Sequence, residues 1–239
     1  MEFPPILVIN LENRKDRWNT IQESFNSWPQ LHRIDAIRIS PGWKGCSASH
    51  QKSLQYAKQE GYPWVLVLED DCVPNSDALA RFHSILPILW NSRDSWDIFL
   101  GGCTMITDAS IAHRNPPLFR VKAHAAHFCL YTKNGYEKII PQLSILDVPI
   151  DAFYRNSNDI RMMCTFPHLA IQQEGQSDIE NTHANYNSLF KESNTKLYTL
   201  SEKSLEGFLN ETNSFYSNIL ISDILTLVVI FSMYLLFPR

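Results

Sequence analysis

The sequence predicts an α/β fold with a mostly parallel sheet, and three observations lead to that prediction. The five apolar residues 64–68 lie between Pro63 and the acidic triplet 69–71, a pattern typical of a short strand buried on both faces. The apolar run 6–9 predicts a similar strand near the amino terminus. Such runs alternate with segments of helical periodicity, which is typical of a doubly wound sheet.

The remaining elements follow from periodicity and capping residues. A helix is expected over 13–27, because Trp18, Ile21 and Phe25 recur at helical spacing. Residues 103–117 are expected to be irregular and 172–209 to form a polar loop and tether. The other expected elements are a strand at 34–39, a helix from Ser47 or Ser49 to Glu60, a helix from Asp77 to Leu89, a strand at 96–100, one or two strands within 118–132, a helix at 133–143, a short helix with Asp151 at its N-cap, and a strand at 162–166.

Composition narrows the class of protein. Hydrophobic residues make up 44% of the 239 residues and charged residues 19%, which indicates a globular chain. A net charge of -4 and the lack of a basic run argue against nucleic acid as a partner. The five cysteines form no C-x-x-C pair, which favours free thiols in a reducing compartment over a disulfide framework or a zinc site.

The carboxyl-terminal segment 219–237 is almost wholly apolar, interrupted by Asp223, Thr226 and Ser232. As a helix it is about 28 Å long, close to the thickness of a bilayer core. We therefore expect a globular domain at 1–180 on the cytoplasmic side, a polar tether at 181–217 and a membrane anchor at 218–239. The alternative is an apolar terminal helix that docks on the protein itself.

The acidic triplet Glu69-Asp70-Asp71 marks a candidate metal site. It follows a predicted buried strand, and ligands of open α/β sheets bind at the carboxyl ends of the strands. Adjacent carboxylates repel one another, and a divalent cation relieves that repulsion. Oxygen ligands suit Mg²⁺ or Mn²⁺, ions that typically bridge a protein to a diphosphate. The alternative is a solvated acidic turn.

Seven short blocks together resemble glycosyltransferase family 25, the group that includes lipooligosaccharide and procollagen galactosyltransferases. They occur in the family's order over residues 6 to about 180, which makes the resemblance more specific than any single motif. The blocks are Val8-Ile9-Asn10-Leu11, Arg14-x-Asp16-Arg17, Gly45-Cys46-x-x-Ser49-His50, Val67-Leu68-Glu69-Asp70-Asp71, His127 with Leu130-Tyr131-Thr132-Lys133-x-Gly135, Pro149-Ile150-Asp151, and Gln173-x-x-x-Ser177-Asp178-Ile179.

The resemblance implies a GT-A-like, Rossmann-type nucleotide-sugar-binding domain and an inverting, metal-dependent reaction. The expected function is transfer of a hexose, galactose or glucose, from a UDP-sugar to a glycan, glycolipid or protein acceptor, as in lipopolysaccharide biosynthesis. The alternative is a catalytically inactive, membrane-tethered module that binds a nucleotide-sugar or a glycan. Metal-dependent UDP-sugar hydrolysis distinguishes the two.

The expected metal site consists of the acidic triplet together with His183. Asp71 is the expected direct ligand of Mn²⁺ or Mg²⁺, Asp70 a ligand or a ribose contact, and Glu69 a residue that orients them. His183 is expected because GT-A enzymes often supply a late metal ligand.

The expected donor-binding residues are Asn10, Arg17, Ser49, His50, Asp70 and His127. Arg17 suits a phosphate, against the alternative of a surface salt bridge. His50 contacts the donor or orders the acidic loop, against a buried structural role. His127 is expected to line the sugar site, whereas His124 is expected to be incidental.

Inversion needs a general base that takes the proton of the acceptor hydroxyl. Asp151 is the expected base, and Asp178 is the second candidate. The alternative for Asp151 is a plain N-cap, since aspartate is among the best capping residues. The alternative for Asp178 is a capped turn.

Overall fold

The computed structural model describes residues 2–173, 175–176, 183–184 and 188–203. The chain divides into one compact unit, Met1–Tyr198, and a second unit, Thr199–Arg239, of which only the helical residues 199–203 are described. The elements are β1 (Ile6–Asn10), α1 (Lys15–Ser24), β2 (Leu31–Asp35), α2 (Gly42–Gln59), β3 (Trp64–Glu69), β4 (Cys72–Pro74), α3 (Ala78–Asn91), β5 (Ile98–Leu100), β6 (Thr104–His113), β7 (Leu118–His124), β8 (Phe128–Thr132), α4 (Lys133–Leu143), α5 (Ile150–Asn156), β9 (Met162–Thr165), β10 (Ala170–Gln172), β11 (Gly175–Gln176), β12 (His183–Ala184) and α6 (188–203).

The main sheet has eight strands in the order β2-β1-β3-β8-β5-β9-β7-β6. The β1–β2, β1–β3 and β5–β9 pairs are parallel, whereas the other four pairs are antiparallel. The predicted α/β class is confirmed, but the sheet is mixed. The correction comes from β8, which enters between β3 and β5 and runs antiparallel to both. Apolar patterning locates such a strand without giving its direction.

Helices cover both faces of the sheet. On one face, the even-numbered side chains of β1 and β3 join Ile21 of α1, its C-cap residue Phe25 and the apolar face of α3 in one core. Trp28, Phe82 and Phe128 pack ring against ring within it, with centroids 5.5–6.0 Å apart. On the other face α2 packs against β1, β3 and α4. Because β1 and β3 are buried on both faces, the positions just beyond their carboxyl ends are held rigidly.

Several predicted boundaries are corrected by the structure. Helix α2 begins at Gly42 after Pro41 and not at Ser47 or Ser49. Residues 104–113, expected to be irregular, form β6, a strand that pairs with β7 and carries two register shifts. Asp151 lies inside the first turn of α5, whose N-cap position is Pro149. Two strands occupy 118–132, as one alternative predicted.

Helix α6 lies within the segment for which the sequence predicts a polar tether. Its part up to Tyr198 belongs to the compact unit and contributes the buried side chains Phe190 and Leu197. His168 Nε2 lies 2.9 Å from Ser193 Oγ, and Lys196 Nζ donates to the carbonyl of Ile106 at 2.8 Å.

In the part of the chain that the structure describes, no helix is both long and apolar enough to cross a bilayer. The predicted anchor at 218–239 lies outside that part, as does most of the predicted tether.

A buried ion cluster fixes the start of β5. The carboxylate of Asp97 is fully buried and pairs with Lys138 Nζ and Arg161 NH2, each at 2.9 Å. The backbone N–H of Arg161 donates a further bond to Asp97 Oδ2 at 2.8 Å. Asp97 thereby ties β5 to α4 and to the segment before β9.

Candidate functional site

A cavity of about 490 Å³ opens at the carboxyl ends of β1 and β3. Six of the residues predicted from sequence line it, although they come from distant parts of the chain. They are Arg17, Ser49, Glu69, Asp70, Asp71 and Asp151. The cavity forms there because the parallel strands β1 and β3 end together and their following loops diverge, as in other open α/β sheets.

Asp70 is held by Asn10, the last residue of β1, and by Arg17 in the first turn of α1. Asn10 Nδ2 donates to Asp70 Oδ2 at 2.7 Å, and Arg17 NH1 donates to Asp70 Oδ1 at 2.9 Å. Asn10 is itself fixed, since its Oδ1 accepts from Arg33 Nε at 3.0 Å. Burial raises the pKa of Asp70, and the bonds from Asn10 and Arg17 oppose that rise. The predicted donor-binding pair Asn10 and Arg17 therefore lies directly against the acidic triplet.

Asp71 is the least satisfied carboxylate of the triplet. Its Oδ2 accepts from Gln172 Nε2 at 3.0 Å and lies 3.9 Å from Arg17 NH1. Its Oδ1 is buried and has no hydrogen-bond partner among the described residues. Burial and the neighbouring charge of Glu69 raise the pKa of Asp71 to about 7. An oxygen so placed lacks the cationic or donating partner that an ionised carboxylate needs when buried.

Glu69 faces a buried chain of polar side chains. Its Oε1 lies 3.2 Å from His50 Nε2 and 3.3 Å from Cys46 Sγ. His50 Nδ1 lies 3.3 Å from the hydroxyl of Tyr131, which is 2.9 Å from that of Tyr154. Burial, the largest single effect, raises the pKa of Glu69, but the bonds from His50 and Cys46 and the coulombic effect of His50 together outweigh it and leave that pKa lowered. His50 is fully buried between Glu69 and Tyr131, a position compatible both with ordering of the acidic loop and with a buried structural role.

The donor set fits a hard divalent cation at Asp71. Asp71, whose Oδ1 has no hydrogen-bond partner among the described residues, lines the cavity together with Asp70. Ligation by oxygen alone is the chemistry that Mg²⁺ and Mn²⁺ favour. Cys46, His50 and Glu69 also bring three ligand atoms within 4.8 Å of one another, but these atoms already bond to each other.

Asp151 pairs with a histidine that the sequence analysis set aside. Asp151 Oδ2 lies 3.2 Å from His124 Nδ1, and Asp151 Oδ1 accepts from the N–H of Ala152 at 2.8 Å. Burial, the largest single effect, raises the pKa of Asp151, but the bond and the coulombic effect of His124 and the bond from the Ala152 N–H together outweigh it and leave that pKa lowered. His124 lines the same cavity, and its Nε2 is buried without a partner among the described residues.

His127 lies behind the cavity wall. It is fully buried, and its ring meets that of Phe190 edge to face at 5.3 Å. Its Nε2 lies 3.5 Å from the carbonyl of Ala170, and burial lowers its pKa to about 4. Gly102 allows this packing, since a Cβ there would lie 3.1 Å from His127 Nε2 and 2.1 Å from the Ala170 carbonyl oxygen. The neighbouring Ala126, and not His127, faces the cavity.

Ser49 of α2 forms a hydrogen bond with the loop 36–39, which lines the cavity. Its hydroxyl accepts from the N–H of Ile37 at 2.8 Å and donates to the carbonyl of Gly45 at 2.7 Å. Gly45 makes this close approach possible, because a Cβ there would lie 2.4 Å from the carbonyl oxygen of Ile37. Ser49 thus shapes the cavity through the loop at 36–39.

Two predicted residues lie outside what the structure describes. These are Asp178 and the side chain of His183, whose backbone belongs to β12. Conversely, the cavity includes residues that the sequence analysis did not select: His124, Gln172, Leu189 and Phe190. His124 precedes the selected His127 by three positions and belongs to the same His-x-x-His segment, which was a usable signal. The sequence contains no comparable signal for Gln172, because the pairing of β10 with β4 is what brings it to Asp71.

No protein-family model matches this chain, and no curated protein matches it either. The solved structures that are similar to it include two at low identity. A197 from STIV is 11% identical with a TM-score of 0.45, and the alignment covers 76% of this chain and 100% of that one. A glycosyltransferase involved in the glycosylation of the major capsid of PBCV-1 is 12% identical with a TM-score of 0.37, covering 66% and 72%. These likenesses are too distant to support a function.

Proposed function

We propose that this protein is a metal-dependent, inverting glycosyltransferase that moves a hexose from a UDP-sugar to an acceptor hydroxyl. The observation that carries the proposal is a single cavity lined by three features: Asp71, with a buried oxygen that has no partner among the described residues, the guanidinium of Arg17, and the Asp151–His124 pair. Transfer from a nucleoside diphosphate needs those three features: a site for a divalent ion, positive charge for the diphosphate, and a base. The order of the family 25-like blocks along the chain supports the same reaction.

The chain's own residues would divide the work as follows. Asp71, with Asp70 beside it, holds the cation, and Gln172 fixes the Asp71 carboxylate. Bound Mn²⁺ or Mg²⁺ supplies a Lewis acid that stabilises the charge of the departing diphosphate. Arg17, 2.9 Å from Asp70 and 3.9 Å from Asp71, adds a fixed positive charge at the same place. Glu69 keeps the loop in position through His50 and Cys46.

The apolar side of the cavity suits the sugar and the acceptor. Trp43, Met105 and Phe190 line it together with the carboxylates, which gives a mixed wall. Sugars present both C–H faces and hydroxyl edges, so a wall with aromatic and charged parts can hold them in one orientation. We propose galactose or glucose as the hexose, and a glycan, glycolipid or protein as the acceptor. A membrane anchor at 218–239 would keep the enzyme near a membrane-bound acceptor on the cytoplasmic side.

The test is donor binding and turnover with purified full-length protein in detergent. Calorimetry with UDP should show binding that requires Mn²⁺ or Mg²⁺, and UDP-galactose or UDP-glucose should be hydrolysed slowly without any acceptor. A screen of UDP-sugars by mass spectrometry then identifies the preferred donor. Metal-dependent binding without turnover of any donor would favour an inactive binding module. A lack of metal-dependent UDP binding would contradict the proposal itself.

A further inference from the structure

We propose that His124, and not Asp151, is the general base, and that Asp151 acts as its positioning residue. This inference rests on the proposed glycosyl transfer and assigns the proton-accepting atom within the same cavity. Neither residue alone suggests the assignment. It follows from how the two side chains share their hydrogen bonds.

The Asp151 carboxylate has both oxygens engaged. Its Oδ2 lies 3.2 Å from His124 Nδ1, and its Oδ1 accepts from the N–H of Ala152 at 2.8 Å in the first turn of α5. The bond from His124 also favours the ionised form and lowers the pKa of Asp151 despite burial. A carboxylate stabilised in this way is a weak proton acceptor, although it is well suited to orient an imidazole.

The imidazole of His124 has the opposite arrangement. When Nδ1–H donates to Asp151, the lone pair is on Nε2, and this atom has no partner among the described residues. A polar nitrogen that is buried without a bond is costly unless a ligand supplies the missing donor. His124 lines the cavity, and an acceptor hydroxyl bound within hydrogen-bond reach of Nε2 would supply that donor.

The backbone beside His124 is strained, which supports a functional role for this position. Ala125 has φ +130°, a conformation that residues with a side chain rarely adopt. Strain of this kind tends to persist at active and ligand-binding sites. Here the strained residue follows β7 directly and lines the cavity together with His124 and Ala126.

The other titratable groups of the cavity are less suitable as bases. Asp70 is engaged by Asn10 and Arg17, and Glu69 by His50 and Cys46. Asp71 is assigned to the cation. Burial and the neighbouring Glu69 raise the pKa of the Cys46 thiol, which keeps it protonated. The remaining charged groups that line the cavity are the guanidinium groups of Arg17 and Arg38, which are not bases.

The chemical step then balances. The acceptor oxygen forms a bond to the anomeric carbon as its proton moves to His124 Nε2. The bond between the anomeric carbon and the diphosphate oxygen breaks, and its electron pair leaves with UDP. The imidazolium that forms is stabilised by Asp151 through Nδ1–H, and the proton passes to solvent after product release.

Three variants separate the two assignments. His124→Asn places an amide near the former Nδ1 and can keep the bond to Asp151, but it removes Nε2. His124→Gln places an amide near the former Nε2. Asp151→Asn keeps the size of the side chain but can stabilise the wrong imidazole tautomer. His32→Asn is the matched control, since His32 is exposed on β2 and does not line the cavity.

The measurements are turnover of UDP-galactose or UDP-glucose, Mn²⁺-dependent UDP affinity, and the pH–rate profile. His124→Asn and His124→Gln should both lower kcat by about 10²–10⁴-fold, with UDP affinity within about threefold of the parent. The acidic limb of the profile, where protonation removes the imidazole lone pair, should disappear from their residual activity. Asp151→Asn should lower kcat and shift that limb, whereas His32→Asn should change neither.

The alternative outcomes are distinct. A folded His124→Asn protein with turnover within about threefold of the parent would overturn the assignment. If Asp151→Asn alone lost turnover, Asp151 would be the base, and the proposed transferase function would still stand. A parent protein with no metal-dependent UDP binding and no turnover would instead show that the proposed function has failed.

Discussion

Gln172 Nε2 donates a hydrogen bond of 3.0 Å to Asp71 Oδ2 across 101 residues of sequence. The bond exists because β10 pairs antiparallel with β4, which brings Gln172 opposite Cys72, next to Asp71. A second bond, from the N–H of Gln173 to the carbonyl of Asp71 at 2.8 Å, fixes the backbone at the same point. The Asp71 carboxylate, at the centre of the proposed metal site, is thus oriented by Gln172 of β10, a strand that is distant in sequence.

Replacing Gln172 should weaken metal-dependent donor binding without unfolding the protein. Gln172→Met keeps the length of the side chain but removes the amide, so Asp71 loses the bond that orients it. Loss of such an outer partner typically costs about 10–100-fold in metal affinity, and we expect about 10-fold here because the backbone bond remains. Calorimetric titration with Mn²⁺ in the presence of UDP measures the effect.

The matched control is Gln142→Met. Gln142 also donates its side-chain amide, to the carbonyl of Lys138 within α4, but it does not line the cavity. Its replacement should leave Mn²⁺ and UDP affinity unchanged. Equal losses in both variants would mean that Gln172 acts through stability and not through Asp71.

Asp71→Asn should abolish Mn²⁺-dependent UDP binding and leave the fold intact. The amide removes the charge and one anionic oxygen, and these are the features that a divalent cation needs. Burial and the neighbouring Glu69 oppose ionisation of the Asp71 carboxylate. Its replacement by an amide should therefore not lower the stability of the folded protein. Calorimetry and circular dichroism check the two expectations.

Asp77→Asn, at an exposed carboxylate paired with Arg81, serves as the control. Unchanged metal-supported turnover in Asp71→Asn would rule out the metal assignment.

The sequence is sufficient to predict the first half of the sheet. Strands β1 and β3 are continuous apolar runs because both of their faces are covered, and that pattern is visible in sequence. β6 was missed because Thr104, Thr107, Asp108 and Ser110 give it a loop-like composition. It lies at the edge of the sheet and pairs only with β7, so few of its side chains need to be apolar. Its two register shifts also break the alternation on which prediction depends.

The candidate site shows a similar limit. Glu69, Asp70 and Asp71 were predictable because they follow a recognisable strand, and Arg17 because it opens the helix after β1. The pairing of Asp151 with His124 was not predictable from the sequence, since it depends on how α5 packs against β7. Sequence patterns identify residues near the ends of strands. They do not show which side chains from separate elements come into contact.

Removing the carboxyl-terminal segment tests the predicted anchor. A chain that ends at residue 217 retains the whole compact unit Met1–Tyr198, so we expect an unchanged melting temperature and unchanged Mn²⁺-dependent UDP binding. Binding of the full chain to phospholipid vesicles should be lost, because the 19 residues 219–237 carry the apolar surface. Flotation with vesicles and thermal melts measure both. Aggregation or a lower melting temperature of the shortened chain would instead favour a terminal helix that docks on the protein.

Asp97→Asn should destabilise the fold without altering the cavity. The buried carboxylate bonds to Arg161 and Lys138, and the asparagine would leave two cations facing an amide. Both cations keep some contact with solvent, so we expect a loss of about 2–3 kcal/mol at pH 7, below the usual cost of breaking a fully buried pair.

The loss should depend on pH in a defined direction. Burial raises the pKa of Asp97, but the bonds from Arg161 and Lys138 together outweigh it and leave that pKa below its ordinary value of 3.8. The ionised carboxylate therefore stabilises the folded state above about pH 4, and this contribution disappears as the pH falls through the lowered pKa. Urea unfolding of the parent and Asp97→Asn should show the full difference at pH 7 and a smaller one near pH 3. Asp147→Asn, at an exposed loop position, should match the parent at both. A difference that is the same at both pH values would mean that packing, and not charge, accounts for the role of Asp97.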